Sequence, residues 1–149
     1  MDNFMVDVYD QKKRSEVMAK VRSKDTGPEL AVRRHLHRRG LRFRLHRRDL
    51  PGRPDIVFPS RRVVVFVHGC FWHGHLGCKR AKLPATRPEF WRAKIAANVE
   101  RDARALDALW GLGWQPIVVW ECEINEASLD RLHDEIAGGR DGPGAGTQT

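Results

Sequence analysis

The sequence contains few cysteines, no long hydrophobic run and fewer acidic than basic residues. Three cysteines in 149 residues are too few for the disulfide framework of a small secreted protein, which favours reduced thiols. No apolar stretch approaches the length that spans a membrane. Residues 1–7 lack a basic segment followed by an apolar one, so we expect no signal peptide, no membrane contact and a cytoplasmic location.

The charge imbalance favours a nucleic-acid partner. Lysine and arginine total 27 against 19 aspartates and glutamates, which gives a formal net charge of +8. The excess lies mainly in arginines of residues 33–53 and recurs in residues 79–87. Because planar guanidinium groups bind phosphate oxygens well, these clusters indicate a phosphate-binding surface.

Length and composition indicate one domain with a single core. Hydrophobic residues make up 41% of the chain, which is typical of a globular protein. We expect this domain to occupy residues 1–137, with an N-terminal helix at about 11–23 and a core at about 26–124. The glycine-rich composition of residues 138–149 predicts a disordered tail.

Local patterns predict an α/β order of elements after the N-terminal helix. Two T-x-P-E segments, Thr26–Glu29 and Thr86–Glu89, resemble capping boxes that begin helices. Apolar runs and alternation predict the strands, and glycines end the helices. The expected elements are a helix at 26–39, strands at 42–46, 55–58 and 63–67, a long helix at 86–110, a strand at 115–120 and a helix at 125–136.

The segment Val63–Cys78 is the most informative part of the sequence. Its apolar strand leads into Cys70, His75 and Cys78, and Cys122 follows the strand predicted to lie beside it. Together these four residues form a Cys₃His set that is common in structural zinc sites. The alternative is that the cysteines are small buried hydrophobic residues. The spacing in a glycine-containing loop favours Zn²⁺, with Cys122 as the least certain ligand.

Asp55 is a candidate ligand for a hard cation. It begins a predicted strand directly after Gly52-Arg53-Pro54. A carboxylate in that position suits Mg²⁺, whereas an aspartate beside a proline more commonly caps its own turn. Taken alone, the residue favours the turn.

The order of elements around Asp55 resembles the PD-(D/E)xK restriction-endonuclease core, in which an aspartate begins the second strand. The carboxylate and lysine of the third strand are replaced here by Phe66-Val67-His68. One branch with this departure is the very-short-patch repair (Vsr) endonuclease family, which the sequence resembles over about residues 10–125. The segments that carry the resemblance are Gly52-Arg-Pro-Asp55, Val67-His68-Gly-Cys-Phe-Trp-His73, Pro84-Ala-Thr-Arg87, Glu89-Phe-Trp91, Asn98-Val-Glu-Arg-Asp102, Gly113-Trp114 and Val119-Trp-Glu-Cys122.

The resemblance implies a restriction-endonuclease-like mixed β-sheet flanked by helices, with a structural zinc site and a catalytic core at about 26–124. It further implies a bacterial, Mg²⁺-dependent enzyme that nicks duplex DNA 5′ of the thymine in T·G mismatches, which arise when 5-methylcytosine deaminates. Asp55 and the main-chain carbonyl of Val67 would bind Mg²⁺, His73 would be the general base, and His68 would help to hold water and phosphate. Glu29 matches a further active-site acid. The family pattern has threonine where this chain has Val67.

The resemblance also implies DNA-contacting residues. Phe71 and Trp72 match aromatic side chains that enter the DNA, and Met18 on the N-terminal helix matches a residue that enters from the minor groove. Each could instead belong to an ordinary core. Lys94 and Asn98 lie on one face of the long helix and match residues that read base edges in the major groove.

The expected substrate is therefore double-stranded DNA with a T·G mismatch, bound by a monomer. A mismatch-repair accessory ATPase and a repair DNA polymerase are partners by family inference alone. Two other hypotheses remain open at this point. One is a nickase of the same fold that prefers another mismatch or lesion, and the other is a non-catalytic zinc-containing module that binds DNA.

Overall fold

The computed structural model describes residues 26–138. Over this range the helices and strands are α1 (Gly27–Arg38), β1 (Arg44–Leu45), β2 (Ile56–Phe58), β3 (Val63–His68), α2 (Pro88–Gly111), β4 (Gln115–Trp120) and α3 (Glu126–Gly138). The α/β class and the predicted order of these elements are confirmed. The predicted helix at 11–23 lies outside the described residues, as does the predicted tail apart from Gly138, which ends α3.

The strands pair into one mixed sheet, ordered β1-β2-β3-β4 in the described part of the chain. The β1–β2 and β2–β3 pairs are antiparallel, whereas β3 and β4 are parallel and are connected through α2. Parallel pairing brings the carboxyl ends of β3 and β4 to one edge of the sheet, with His68 beside Trp120. The segments that follow these two strands therefore meet.

Helices cover both faces of the sheet. Val63 and Val65 pack into a cluster with α1 and α3, whereas Val64 and Phe66 pack into a second cluster that includes Leu109 of α2. Burial on both faces explains why β3 reads as a continuous apolar run instead of an alternating one. None of the helices in residues 26–138 is long and apolar enough to span a membrane.

The two T-x-P-E segments fold differently. In the first, α1 begins at Gly27 and the Thr26 hydroxyl accepts a hydrogen bond from the Glu29 N–H at 3.3 Å, as predicted. In the second, α2 begins only at Pro88, the preceding Arg87 is left-handed at φ 55°, and no side chain caps the helix. The prediction of a capping box in the second segment was therefore wrong.

Proline sterics account for this difference. The right-handed helical region is disfavoured for a residue that precedes proline, because the proline Cδ approaches the N–H and Cβ of that residue. Gly27 has no Cβ and forms the first helical residue before Pro28, whereas Arg87 has a Cβ and stays outside the helix before Pro88.

The first strand is shorter than predicted. We expected a half-buried strand over residues 42–46, but only Arg44 and Leu45 pair with β2, and both are exposed. His46 has a left-handed φ of 48°, which ends the extended conformation. Just beyond the end of β1, the His46 side chain contacts Glu29 of α1.

Candidate active site

A cavity of about 870 Å³ opens at the carboxyl end of β3. Its walls come from the first turn of α1, the β1–β2 connection, the end of β3 with its following loop, and one face of α2. The lining includes every predicted catalytic and Mg²⁺ residue and three of the predicted DNA-contacting ones: Glu29, Asp55, Val67, His68, Phe71, Trp72, His73 and Asn98. Lys94 lies outside this lining, and Met18 lies outside the described residues.

Asp55 lies where three strands meet. Its N–H donates to the Val65 carbonyl, its own carbonyl accepts from the His46 N–H, and its carboxylate accepts from the Val67 N–H at 2.7 Å. Burial raises the pKa of Asp55 to about 6, the Val67 N–H opposes that shift, and the nearby Glu29 charge adds to it. A buried carboxylate with a raised pKa fits a cation, because a positive charge beside it would offset the cost of ionisation.

Glu29 lies beside Asp55 and is also buried, with 3% of its surface exposed. Its carboxylate accepts a hydrogen bond from Arg33 at 3.3 Å and lies 2.5 Å from Nε2 of His46. One ligand atom from each of Glu29, His46 and Asp55 can be chosen so that all three lie within 4.8 Å of one another. These three residues are named the carboxylate–histidine cluster below.

Two histidines that line the same cavity, His68 and His73, stack ring on ring. The ring centroids of His68 and His73 are 3.7 Å apart and their planes differ by 3°. Burial, followed by the nearby His73, lowers the pKa of His68 to about 4, so this imidazole is neutral near pH 7. Its Nδ1 is buried and has no hydrogen-bond partner among the described residues.

His73 is oriented by a carboxylate from α2. Nδ1 of His73 lies 2.6 Å from Oδ2 of Asp102. Because an ionised carboxylate only accepts hydrogen bonds, Nδ1 carries the hydrogen and Nε2 of a neutral ring is the basic nitrogen. The pair is half-exposed, with 28% and 26% of the side-chain surfaces open to solvent. A base held in this way can exchange protons with water at the cavity.

Close contact between the loop and α2 holds His73 near Asp102. Gly74 has a left-handed φ of 60°, and a Cβ there would lie 2.8 Å from Ile95 and 2.9 Å from Val99. One turn further along α2, the Asn98 amide donates to the Trp72 carbonyl at 2.9 Å. The loop backbone is therefore bound directly to the helix that supplies Asp102.

Phe71 and Trp72 form an aromatic layer on the same loop. Their rings pack edge to face at 5.1 Å, and both pack against Trp91 of α2 at 5.6 and 5.9 Å. Both are half-buried. Both side chains line the cavity and pack against the buried Trp91.

The predicted zinc ligands converge beside the cavity. One ligand atom from each of Cys70, His75, Cys78 and Cys122 can be chosen so that all four lie within 4.8 Å of one another. Cys122 reaches the loop because β3 and β4 are parallel, and its Sγ lies 3.4 Å from Nδ1 of His75. The His75 ring stacks on Trp120 at 4.1 Å. Three thiols and one imidazole at this spacing suit a tetrahedral Zn²⁺ ion.

Basic residues accompany the acids at the cavity. Arg48, Arg53 and Arg101 all contribute to its lining. Arg53 adopts a left-handed φ of 52°, and Arg101 donates to the Asn98 side chain at 3.0 Å. Guanidinium groups beside carboxylates and histidines can bind the phosphates on either side of a reacting one.

Sequence reasoning missed Asp102 and His46. Asp102 lies four residues after Asn98 on the same helix face, which was a usable signal for its approach to the same loop. His46 gave no comparable signal, because its approach to Glu29 depends on the early end of β1.

Comparison with known proteins agrees with this geometry. Residues 6–80 match the family described as DNA mismatch endonuclease Vsr. Type II nicking enzyme V.XorIIP of Xanthomonas oryzae pv. oryzae is 57% identical, over 82% of this chain and 89% of that protein. DNA mismatch endonuclease Vsr of Escherichia coli K12 is 45% identical over 90% of each chain. Type II nicking enzyme V.NmeAIP of Neisseria meningitidis is 42% identical, over 85% of this chain and 90% of that protein.

These matches cover nearly all of the relatives and include the segments that line the cavity. The chain belongs to the DNA mismatch endonuclease Vsr family, so it is a DNA endonuclease.

Proposed function

We propose that this protein is a Mg²⁺-dependent, zinc-stabilised nickase that cuts duplex DNA 5′ of the thymine in a T·G mismatch. The observation that carries the proposal is the meeting of Asp55, the end of β3 and the His73–Asp102 pair in one cavity of a Vsr-family chain. The names of two relatives, both nicking enzymes, favour cutting of one strand over cutting of both. The sheet, with Asp55 preceding β2, supports a restriction-endonuclease-like fold.

Asp55 and the Val67 carbonyl would hold the Mg²⁺ ion. Oxygen ligands suit this cation, and the buried Asp55 carboxylate gains most from a positive neighbour. Bound Mg²⁺ would offset negative charge on the phosphoryl oxygens. A main-chain ligand explains how the site tolerates Val67 in place of the family threonine, because the carbonyl does not depend on the side chain.

His73 would act as the general base. Nε2 of His73 takes a proton from the attacking water while Asp102 holds the ring through Nδ1. His68 is neutral and stacked on His73, so it avoids a second positive charge beside the base and can help to hold water and phosphate. Glu29 adds a further acid to the lining of the cavity.

Zinc would stiffen the loop that carries the aromatic residues. Four protein ligands leave no open position, which is typical of a structural zinc site. Phe71 and Trp72 could then be inserted next to a weakly stacked T·G pair at low cost, because unstacking is easiest at a mismatch. Met18 would approach from the minor groove.

Lys94 and Asn98 would read the flanking bases. The Asn98 amide already donates to the Trp72 carbonyl, so base contact by Asn98 would couple sequence reading to the aromatic loop. The three arginines that line the cavity would bind flanking phosphates. The affinity for DNA should therefore fall steeply with added salt. We extend the proposal to a single domain over residues 1–137 that acts as a monomer, with an accessory ATPase and a repair polymerase acting alongside it.

A nicking assay on a panel of duplexes tests the proposed substrate. Each duplex carries one mismatch in the same context, with the fully matched duplex and an Asp55→Ala variant as controls. We expect one cut 5′ of the mismatched thymine in the T·G duplex with Mg²⁺, and none in either control. Preferential cutting of another mismatch would favour the alternative of a same-fold nickase with different specificity.

A further inference from the structure

His46 brings an imidazole nitrogen to the site proposed for the catalytic cation. Its main-chain N–H donates to the Asp55 carbonyl at 3.0 Å, so its backbone is fixed to the residue that would bind the ion. Its side chain reaches Glu29, and 21% of that side chain is exposed. His46 also lines the cavity with Glu29 and Asp55.

The spacing of the carboxylate–histidine cluster fits a single ion. The ligand atoms of Glu29, His46 and Asp55 lie within 4.8 Å of one another. Donors about 2.1 to 2.3 Å from one cation are separated by roughly 3 Å when adjacent and by about 4.5 Å when opposite. Separations of up to 4.8 Å therefore fit three donors of one cation, once the 2.5 Å His46–Glu29 hydrogen bond lengthens to the spacing of adjacent ligands.

A nitrogen donor changes the class of metal that this cluster prefers. Magnesium favours oxygen ligands and keeps much of its water, whereas first-row transition ions accept imidazole readily. We propose that His46 is a direct nitrogen ligand of the Asp55 cation site, so that the site binds Mn²⁺-type ions more tightly than Mg²⁺ while Mg²⁺ still supports nicking. The inference rests on the proposed function, because it takes Asp55 as the ligand of the catalytic cation.

The simpler alternative is that His46 only orients Glu29 through their hydrogen bond. Glu29 already has a positive partner in Arg33 at 3.3 Å, so neutralising its charge does not require His46. His46→Gln separates the two roles. The glutamine amide can still donate to Glu29, but it removes the imidazole nitrogen from the metal site.

Electron spin echo measurements on Mn²⁺ detect a directly bonded nitrogen independently of activity. The protein is first saturated with Zn²⁺ so that the cysteine cluster is filled, and Mn²⁺ is then added. The comparison includes the wild type, His46→Gln, Asp55→Ala and a control, His37→Gln, which changes an exposed histidine on α1. Thermal melting of each variant shows that it is folded.

We expect nitrogen modulation in the wild type and His37→Gln, and its loss in His46→Gln and Asp55→Ala. The Kd for Mn²⁺ should rise by at least about ten-fold in His46→Gln, because loss of a direct ligand should cost no less than loss of a residue that only supports a ligand. The Kd for Mg²⁺ should change by less than about three-fold, because that ion prefers oxygen. Modulation that persists in His46→Gln, or that is absent from the wild type, would overturn the inference.

The same preparations separate this inference from the proposed function. Wild-type protein that nicks a T·G duplex with Mg²⁺ but shows no nitrogen modulation contradicts only the role of His46. Protein that shows the modulation yet nicks no T·G duplex with either ion contradicts the proposed function, and leaves His46 as a metal ligand of unassigned purpose.

Discussion

Two clusters of metal-type ligands lie at the same end of the sheet, and they differ in donor chemistry and access. The cysteine cluster has three sulfurs and one imidazole, whereas the carboxylate–histidine cluster has two carboxylates and one imidazole and opens into the cavity. Sulfur-rich sites with four protein ligands typically stabilise a fold, and oxygen-rich sites with room for water and substrate typically serve phosphoryl chemistry. Residues at the carboxyl end of β3 could therefore take part in two separate ion sites, one for stability and one for catalysis.

The largest expected effect is on Asp55. Asp55→Asn keeps an acceptor for the Val67 N–H but removes the negative charge. Single-turnover nicking of a T·G duplex should fall by at least about a thousand-fold, since several kcal/mol of charge stabilisation is lost. Binding of the same duplex, measured by fluorescence anisotropy, should stay near wild type. Nicking within a few-fold of wild type would remove Asp55 from the mechanism.

The next largest effect is expected from loss of the general base, His73. His73→Gln should slow single-turnover nicking by about a hundred- to ten-thousand-fold. Asp102→Asn should slow it to a similar extent, because the ring remains in place but its preferred tautomer is lost. His37→Gln is the matched control and should be unaffected. Equal rates for His73→Gln and wild type would assign proton transfer to another group.

Loss of a zinc ligand should lower the stability of the folded protein and should affect nicking only as a consequence. Cys78→Ser should release Zn²⁺ and lower the free energy of unfolding by several kcal/mol, because metal binding is coupled to folding of the loop. Metal analysis together with thermal melting measures both changes. A variant that loses Zn²⁺ yet melts at the wild-type temperature would show that the cysteine cluster is not structural.

Burial of Asp55 predicts a pH dependence of stability in metal-free protein. Its folded pKa of about 6 lies above the ordinary value of 3.8, so the folded state keeps a proton that the unfolded chain releases. Stability should therefore fall as pH rises from about 4 to 6, by about 3 kcal/mol from this group. Urea unfolding of wild type and Asp55→Asn should diverge across this range, and parallel curves would contradict the assignment.

The smallest expected effect is a loss of stability from steric overlap at Gly74. Gly74→Ala places a Cβ against Ile95 and Val99, whereas Gly77→Ala has the same left-handed backbone but nothing within 4 Å. Both variants bear backbone strain, and Gly74→Ala should lose about 1 to 3 kcal/mol more from overpacking. Equal melting temperatures for the two variants would mean that the loop is not held tightly against α2.

Sequence patterns predicted the local features of this molecule well. The apolar runs of β3 and β4, the Thr26 cap of α1 and the convergence of Cys122 on the loop were all confirmed. Each depends on residue periodicity or on one strand pairing. The second T-x-P-E segment shows the limit, because one side chain before a proline changed where the helix begins.

The features that were missed depend on tertiary contact. Asp102 reaches His73 where Gly74 lets the loop lie against α2, and His46 reaches Glu29 just beyond the end of β1. The spacing of Asn98 and Asp102 places Asp102 on the loop-facing side of α2 but does not give its partner, and no spacing indicates the contact of His46. The predicted catalytic residues line the cavity together, but the groups that orient them came from elements distant in sequence.

One measurement tests the separation of the two metal sites most directly. Zinc-loaded protein freed of other divalent ions is mixed with a T·G duplex, and nicking and melting temperature are recorded before and after Mg²⁺ is added. The account predicts a folded, inactive protein at first, followed by a single cut 5′ of the thymine with the melting temperature little changed. Cutting without added Mg²⁺, or a folded state that forms only when Mg²⁺ is added, would contradict it.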